Sequence, residues 1–231
     1  MGDLAAMLVA QWQAAGLLPA NFERSPAAEV DTAALVRRSQ RADRARRWHA
    51  ECPRLYRASR WDHPRLAPFS EQIAQVRDWK AGDRGLLITG PTGRGKSRAL
   101  WALLRRLMAH EGHEVRVWRS SDFFRLMQEQ INYGRDESRA WLKAVARIPI
   151  IALDDWGQEA ITSARADWCQ ATFFDLLDQR LGEGRPLIVT TNLTARQIAG
   201  NDASGVRANP LLRRLLDTCA VVRFETKEER A

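Results

Sequence analysis

The run Gly90-Pro91-Thr92-Gly93-Arg94-Gly95-Lys96-Ser97 has the residue types and spacing of a phosphate-binding loop, GxxxxGK[ST]. The apolar segment Gly85–Thr89 precedes it and an amphipathic stretch follows, which is the strand–loop–helix setting that such a loop requires. Glycines let backbone N–H groups turn onto a β-phosphate, the helix N-terminus adds a favourable dipole, and the lysine reaches the β- and γ-phosphates. The expectation is a Mg·ATP site: Gly90 to Lys96 with Ser97 and Arg98 around the phosphates, and the Ser97 hydroxyl on Mg2+. Two further positions fit the same chemistry. The segment IPIIALDDWG delivers Asp154 and Asp155 at the end of an apolar run, Asp154 toward the metal shell and Asp155 as a base or water-orienting group. An acidic turn after a buried strand is the alternative. PLIVTT then leads to Asn192, whose amide suits a γ-phosphate or an attacking water; a plain turn-former reads equally well there.

These groups converge only if strands carry them to one edge. Short apolar runs at 85–89, 115–118, 148–153, 186–190 and 220–224 read as five strands. The intervening stretches 96–110, 121–131, 136–146, 164–181 and 209–216 are long enough for helices. Apolar strands with helical crossovers predict an α/β fold with a mainly parallel five-stranded sheet covered on both faces. Upstream, residues 1–51 read as a helical appendage, with Leu4, Met7, Leu8, Trp12 and Ala15 on one face and a second helix over 27–50. Residues 52–69 read as a proline-rich collar, and 70–231 as the nucleotide-binding domain.

Strand, loop, Asp-Asp strand, TTN strand and a terminal NPLLRRLLDTCAVVRFE segment resemble the order and spacing of the AAA+ ATPases. More narrowly, the chain resembles the DnaC/IstB-like family of replicative-helicase loaders and transposase helpers, over about residues 52–231. The resemblance implies ATP hydrolysis with Mg2+, sensor 1 at Asn192, and a trans-acting arginine finger at Arg214, with Arg213 as the neighbouring alternative. It also implies self-association into a ring or spiral, because an arginine finger serves the neighbouring subunit. Arg230 falls where a sensor 2 arginine would sit. The chain stops after the fifth strand, as in this lidless family. Two departures stand out. Asp155 replaces the usual Glu, which points to slow turnover, and Arg94 stands at a position where Thr is common.

The family resemblance further implies single-stranded DNA contacts near Gln158–Trp168, with Arg165 as a phosphate partner and Trp168 as a stacking plane or a core residue. Ser121, with Arg119 and Ser120, is a second candidate. The N-terminal helices would grip a hexameric replicative helicase, or pack on one another. The reading is an ATP-dependent helicase loader, with an IstB-like transposase helper on duplex DNA or a poorly hydrolysing nucleotide-gated adaptor as alternatives.

Composition fits this reading. The 231 residues suffice for one α/β core and an appendage, and the formal charge is +8. That excess is local: residues 35–60 hold nine Arg against Asp43 and Glu51, so the remainder is near neutral. A basic stretch of this kind suits phosphates or an acidic partner. Cys52, Cys169 and Cys219 are too scattered for a disulfide framework or a zinc site. Without a leader or a spanning apolar stretch, the expectation is a cytoplasmic protein with no membrane partner.

Overall fold

A computed structural model describes residues 10–16, 32–82, 84–157, 166–193 and 210–225. The chain divides into two compact units, Met1–Gln40 and Arg41–Ala231. In the first, residues 10–14 are helical and end at Gly16 with φ 68°, the left-handed conformation that closes a helix. Trp12, Leu35 and Val36 are exposed there. Helix α1, Thr32–Glu51, begins in this unit, and the expected helical residues 27–31 lie outside the described residues.

The larger unit is built on β1 (Gly85–Thr89), β2 (Val115–Arg119), β3 (Ile150–Trp156), β4 (Leu187–Thr191) and β5 (Cys219–Arg223). Their order is β2-β3-β4-β1-β5 and every pair is parallel, as expected. The helices are α2 (Ser70–Asp78), α3 (Lys96–Arg105), α4 (Ser120–Tyr133), α5 (Arg135–Ala146), α6 (Ala166–Gly182) and α7 (Pro210–Thr218). A wider π-helical turn, Arg106–Glu111, extends α3 and closes at Gly112, whose φ is 80°.

Alternating side chains divide the core between the two sheet faces, as the period-two strand geometry requires. Leu86, Ile88, Ile150, Ala152 and Ile188 pack with α2, α3 and the end of α1, whereas Leu87, Ile151, Leu153 and Val189 pack with residues of α4 to α7. Each of these buried Leu, Ile and Val side chains contributes about 1.5–3 kcal/mol. Among the described residues no helix is long and apolar enough to cross a membrane.

Two features differ from the expectation. The proline-rich segment is not merely irregular: it forms two short 3-10 turns, Arg54–Tyr56 and Pro64–Phe69, and Leu66 and Phe69 join the core beside Trp48 and Cys52. Strand β3 also runs past Leu153 to Trp156, with a register irregularity against β4 between Leu153 and Trp156.

Arg180 on α6 is buried, and its hydrogen bonds among the described residues go to backbone carbonyls. Its guanidinium donates to the carbonyls of Ala146 (3.1 Å), Ile148 (2.8 Å), Pro149 (3.1 Å) and Pro186 (2.6 Å). It thereby satisfies the C-terminal end of α5 and the lead-ins to β3 and β4. Burial pushes its pKa down to about 10.

Candidate nucleotide site

The loop after β1 is shaped by close backbone approaches. Gly90 has φ 140°, and a Cβ there would lie 2.7 Å from the carbonyl oxygen of Phe224. The Phe224 N–H in turn donates to the Thr89 carbonyl at 2.8 Å, which fixes the loop against the end of β5. Gly95 has φ 90° and would place a Cβ 2.8 Å from Leu66, so the collar packs directly on the start of α3. Both positions therefore need glycine.

Lys96 is buried, and its ammonium donates to the carbonyls of Gly90 (2.7 Å) and Pro91 (2.8 Å) and to Asn192 Oδ1 (2.5 Å). Burial pushes its pKa down to about 8, while Asp155 and Asp154 work in the opposite direction. The other end of the Asn192 amide, Nδ2, donates to Asp155 Oδ1 at 2.8 Å. Asn192 thus bridges the lysine of the loop and the exposed carboxylate of β3.

Asp154 is buried. One carboxylate oxygen accepts from Ser97 Oγ at 2.9 Å and from Thr190 Oγ1 at 2.6 Å. Burial raises its pKa; the two hydroxyl hydrogen bonds oppose that, and nearby Asp155 adds to it. Thr190 Oγ1 also accepts the Asp155 N–H at 2.8 Å, and this hydrogen bond accompanies a φ of 62° at Asp155, a conformation rare outside glycine. Thr191 Oγ1 donates to the Trp156 carbonyl at 2.6 Å and accepts the Leu193 N–H at 3.0 Å, fixing the chain as it turns out toward Asn192.

This donor set fits Mg2+. The hard cation takes oxygen ligands and keeps waters and substrate phosphates in its shell. Here a hydroxyl and a buried carboxylate meet on neighbouring elements, with two hydroxyls and the more distant Arg119 offsetting the carboxylate charge. Among the described residues there is no group of three acidic, His or Cys ligands, so the protein alone offers too few oxygens for a closed cage.

The structure brings together the loop, Ser97, Asp154, Asp155 and Asn192, and it adds Thr190, which sequence reasoning missed. A threonine inside a buried strand has no distinguishing pattern; only its offset of two from Asn192 hints at it. Arg98 is buried on α3 with its guanidinium over the Tyr56 ring at 5.8 Å. Arg94 is partly buried in the loop. Arg214 pairs with Asp178 at 2.7 Å and lies over the Phe174 ring at 5.8 Å, so its partners are on α6. Ser121 is exposed at the start of α4, next to buried Ser120. Arg165, Arg230 and the side chains of Trp168 and Arg213 lie outside the described residues.

The family model described as IstB-like ATP binding protein matches residues 69–231, and the chain belongs to that family. An ATP-binding protein in an insertion sequence of Mycobacterium tuberculosis (strain ATCC 25618 / H37Rv) is 28% identical over 149 residues, covering 63% of this chain and 55% of the relative. The ATP-binding protein of insertion sequence IS1162 from Pseudomonas fluorescens is 32% identical over 117 residues, covering 50% of this chain and 47% of the relative. The chain therefore spans about half the length of the curated relatives it matches. Among solved structures, the DnaC helicase loader aligns with TM-score 0.55 at 20% identity, over 75% of this chain and 100% of that chain. AMPPCP-bound DnaA from Aquifex aeolicus aligns with TM-score 0.55 at 16% identity, over 77% of this chain and 53% of that one. The fold is that of an AAA+ P-loop ATPase.

Proposed function

We propose that this member of the IstB-like ATP-binding family is an ATP-hydrolysing assembly factor on DNA. It binds Mg·ATP, associates with further copies of itself, and prepares the DNA for a partner enzyme in the cytoplasm. The observation that carries the reading is the hydrogen-bond chain Lys96–Asn192–Asp155 beside the Ser97–Asp154 pair. Binding a triphosphate exchanges the Asn192 oxygen at the Lys96 ammonium for phosphate oxygens. The freed amide turns toward the γ-phosphate, and Asp155 accepts a hydrogen bond from the water that attacks it. Mg2+ held by Ser97 and by Asp154 through water would neutralise charge on the β- and γ-phosphates. Hydrolysis breaks the bond between the γ-phosphorus and the bridging oxygen, and the water proton passes to Asp155 or solvent. The network thus couples the state of the γ-phosphate to the ends of β3 and β4.

The partner is argued from the relatives. Both curated proteins are named for insertion sequences, which supports a transposase helper that acts on duplex DNA. The alignment over the whole solved DnaC chain favours a second reading, delivery of a replicative helicase to single-stranded DNA. In either role residues 1–51 would grip the partner, and Arg165, Trp168 and Ser121 would contact DNA.

ATP turnover measured with duplex and with single-stranded DNA tests both. Stimulation by duplex supports the helper role, and stimulation by single strands alone supports the loader. No DNA effect on turnover or on self-association overturns the proposal. Lys96→Ala should abolish ATP binding and hydrolysis at the altered subunit's own site.

A further inference from the structure

At the far end of α3 from the phosphate loop, a cleft of about 530 Å³ opens between the collar and the π-helical turn. Arg106 lies roughly 15 Å from Lys96 along the helix axis at 1.5 Å per residue. Ser59, Arg60, Trp61, Arg105, Arg106 and His110 line the cleft, with Asp62 as its one carboxylate. Asp62 is 3.4 Å from the Arg60 guanidinium, both of them exposed. Arg105 is held over the Trp48 ring at 5.3 Å, while Arg106 is braced by Glu111 at 2.7 Å and by the Trp79 carbonyl. Two guanidinium groups are thereby fixed in place beside the opening.

The cleft also contains polar atoms that the fold leaves unused. The Ser59 hydroxyl is fully buried and has no hydrogen-bond partner among the described residues, and neither has the buried Nε of Arg106. Buried polar groups are normally satisfied, so Ser59, a residue lining a cationic cleft, keeps a donor that an anion entering the cleft would satisfy once the side chain rotates toward it.

A second cleft, of about 430 Å³, shares the turn. Met108 and Gly112 line it together with Arg44, Arg47, His113 and Arg116, against Glu51 and Glu114. The Arg44 guanidinium sits so close over Gly112 that a Cβ there would be 2.7 Å from it. Two cationic clefts on one turn suit a ligand that repeats its negative charge, and guanidinium groups match phosphate oxygens with paired N–H donors. The half-buried Trp61 adds an aromatic surface of the kind on which nucleic-acid bases stack.

We propose that this basic surface, with the Ser59–His110 cleft at its centre, binds the phosphodiester backbone of a nucleic acid. It lies at the opposite end of α3 from the phosphate loop and shares no lining residue with the ATP site. The inference rests on the DNA-binding reading above and names the part of the chain that holds the strand.

The test uses the full chain with Mg·ATP and fluorescence anisotropy of a labelled oligonucleotide, in single-stranded and in duplex form, across a salt series. Arg60→Ala/His110→Ala should weaken binding roughly tenfold and lower the log–log salt slope by about 1 to 2, at unchanged ATP affinity. Arg60→Lys/His110→Lys should retain most of the binding, and Ser59→Ala should weaken it a few-fold. The oligonucleotide form that suffers the larger loss identifies the strand held here. Unchanged binding by the alanine pair, or equal displacement of DNA by polyglutamate of matched charge, overturns the proposal. If the unaltered chain binds no nucleic acid in any nucleotide state, the wider reading fails; if it binds and the variants match it, only this surface fails.

Discussion

Lys96 sits at a junction of opposing demands: it must be charged to meet a triphosphate, yet burial pushes its pKa down to about 8. The ordinary value of 10.5 applies to the unfolded chain, so the folded state is penalised for this charge below pH 8. That penalty disappears as pH rises from about 8 toward 10.5. A bound polyphosphate restores the preference for the charged form. Binding of Mg·ATP at pH 8.5 should therefore take up a fraction of a proton, and at pH 6.5 almost none from this group. Calorimetry in buffers of different ionisation enthalpy measures it, and an absence of uptake at pH 8.5 removes the lysine from the site. Asp155→Asn removes a charge that keeps Lys96 protonated, so the uptake should begin at lower pH. Asn192→Ala cuts the link between Lys96 and Asp155. It should lower ATP turnover by about 10²-fold, the scale for losing one preorganised transition-state hydrogen bond. Nucleotide affinity, measured separately with a non-hydrolysable analogue, should change little.

The elements bring these residues together through contacts of uneven visibility in sequence. The glycine-rich loop was legible because its residue types are dictated locally: Gly90 and Gly95 have positive φ and touch Phe224 and Leu66. The Asp-Asp pair was legible because four apolar residues precede it in a buried strand. The packing of the collar was not, since the prolines of 53–68 signal only a break in regular structure, and the burial of Leu66 and Phe69 depends on the partners that α2 and α3 provide. Thr190 and Arg180 were hidden for a similar reason. Their roles are set mostly by hydrogen bonds to residues more than 30 positions away. Arg180 shows the cost of such a contact. Arg180→Met keeps the bulk but leaves the carbonyls of Ala146, Ile148, Pro149 and Pro186 without this donor. Unsatisfied buried acceptors cost about 1–3 kcal/mol each, so even partial relaxation should leave a loss of roughly 3 kcal/mol. For a chain of this size that is a Tm lower by about 6–12 °C. An unchanged Tm in calorimetry would show that water replaces the guanidinium.

At the scale of the whole molecule, Lys96 is the cation hydrogen-bonded within the ATP site, and Arg214 is tied elsewhere. Its guanidinium is half-exposed and pairs with Asp178 on the adjacent helix. An exposed pair of this kind is worth at most about 1 kcal/mol, so the arginine can leave Asp178 for a stronger anion at little cost. A neighbouring subunit's triphosphate is such an anion, and the exchange would make turnover depend on assembly. Arg214→Ala should then lower ATP turnover by roughly 10²-fold or more, while the affinity of an isolated subunit for nucleotide stays unchanged. Asp178→Asn removes the intramolecular partner and should let self-association begin at lower protein concentration. Mixing provides the sharper measurement. An Arg214→Ala subunit retains an intact site, and a Lys96→Ala subunit retains an intact Arg214, so two inactive chains form a working interface when they meet in the right order. With random mixing at equal concentration, about a quarter of the head-to-tail interfaces have that order, and turnover should recover to that level and no further. Recovery to zero, or an Arg214→Ala chain that hydrolyses ATP as well as the unaltered one, would place the arginine in the fold of its own subunit and not in its neighbour's chemistry.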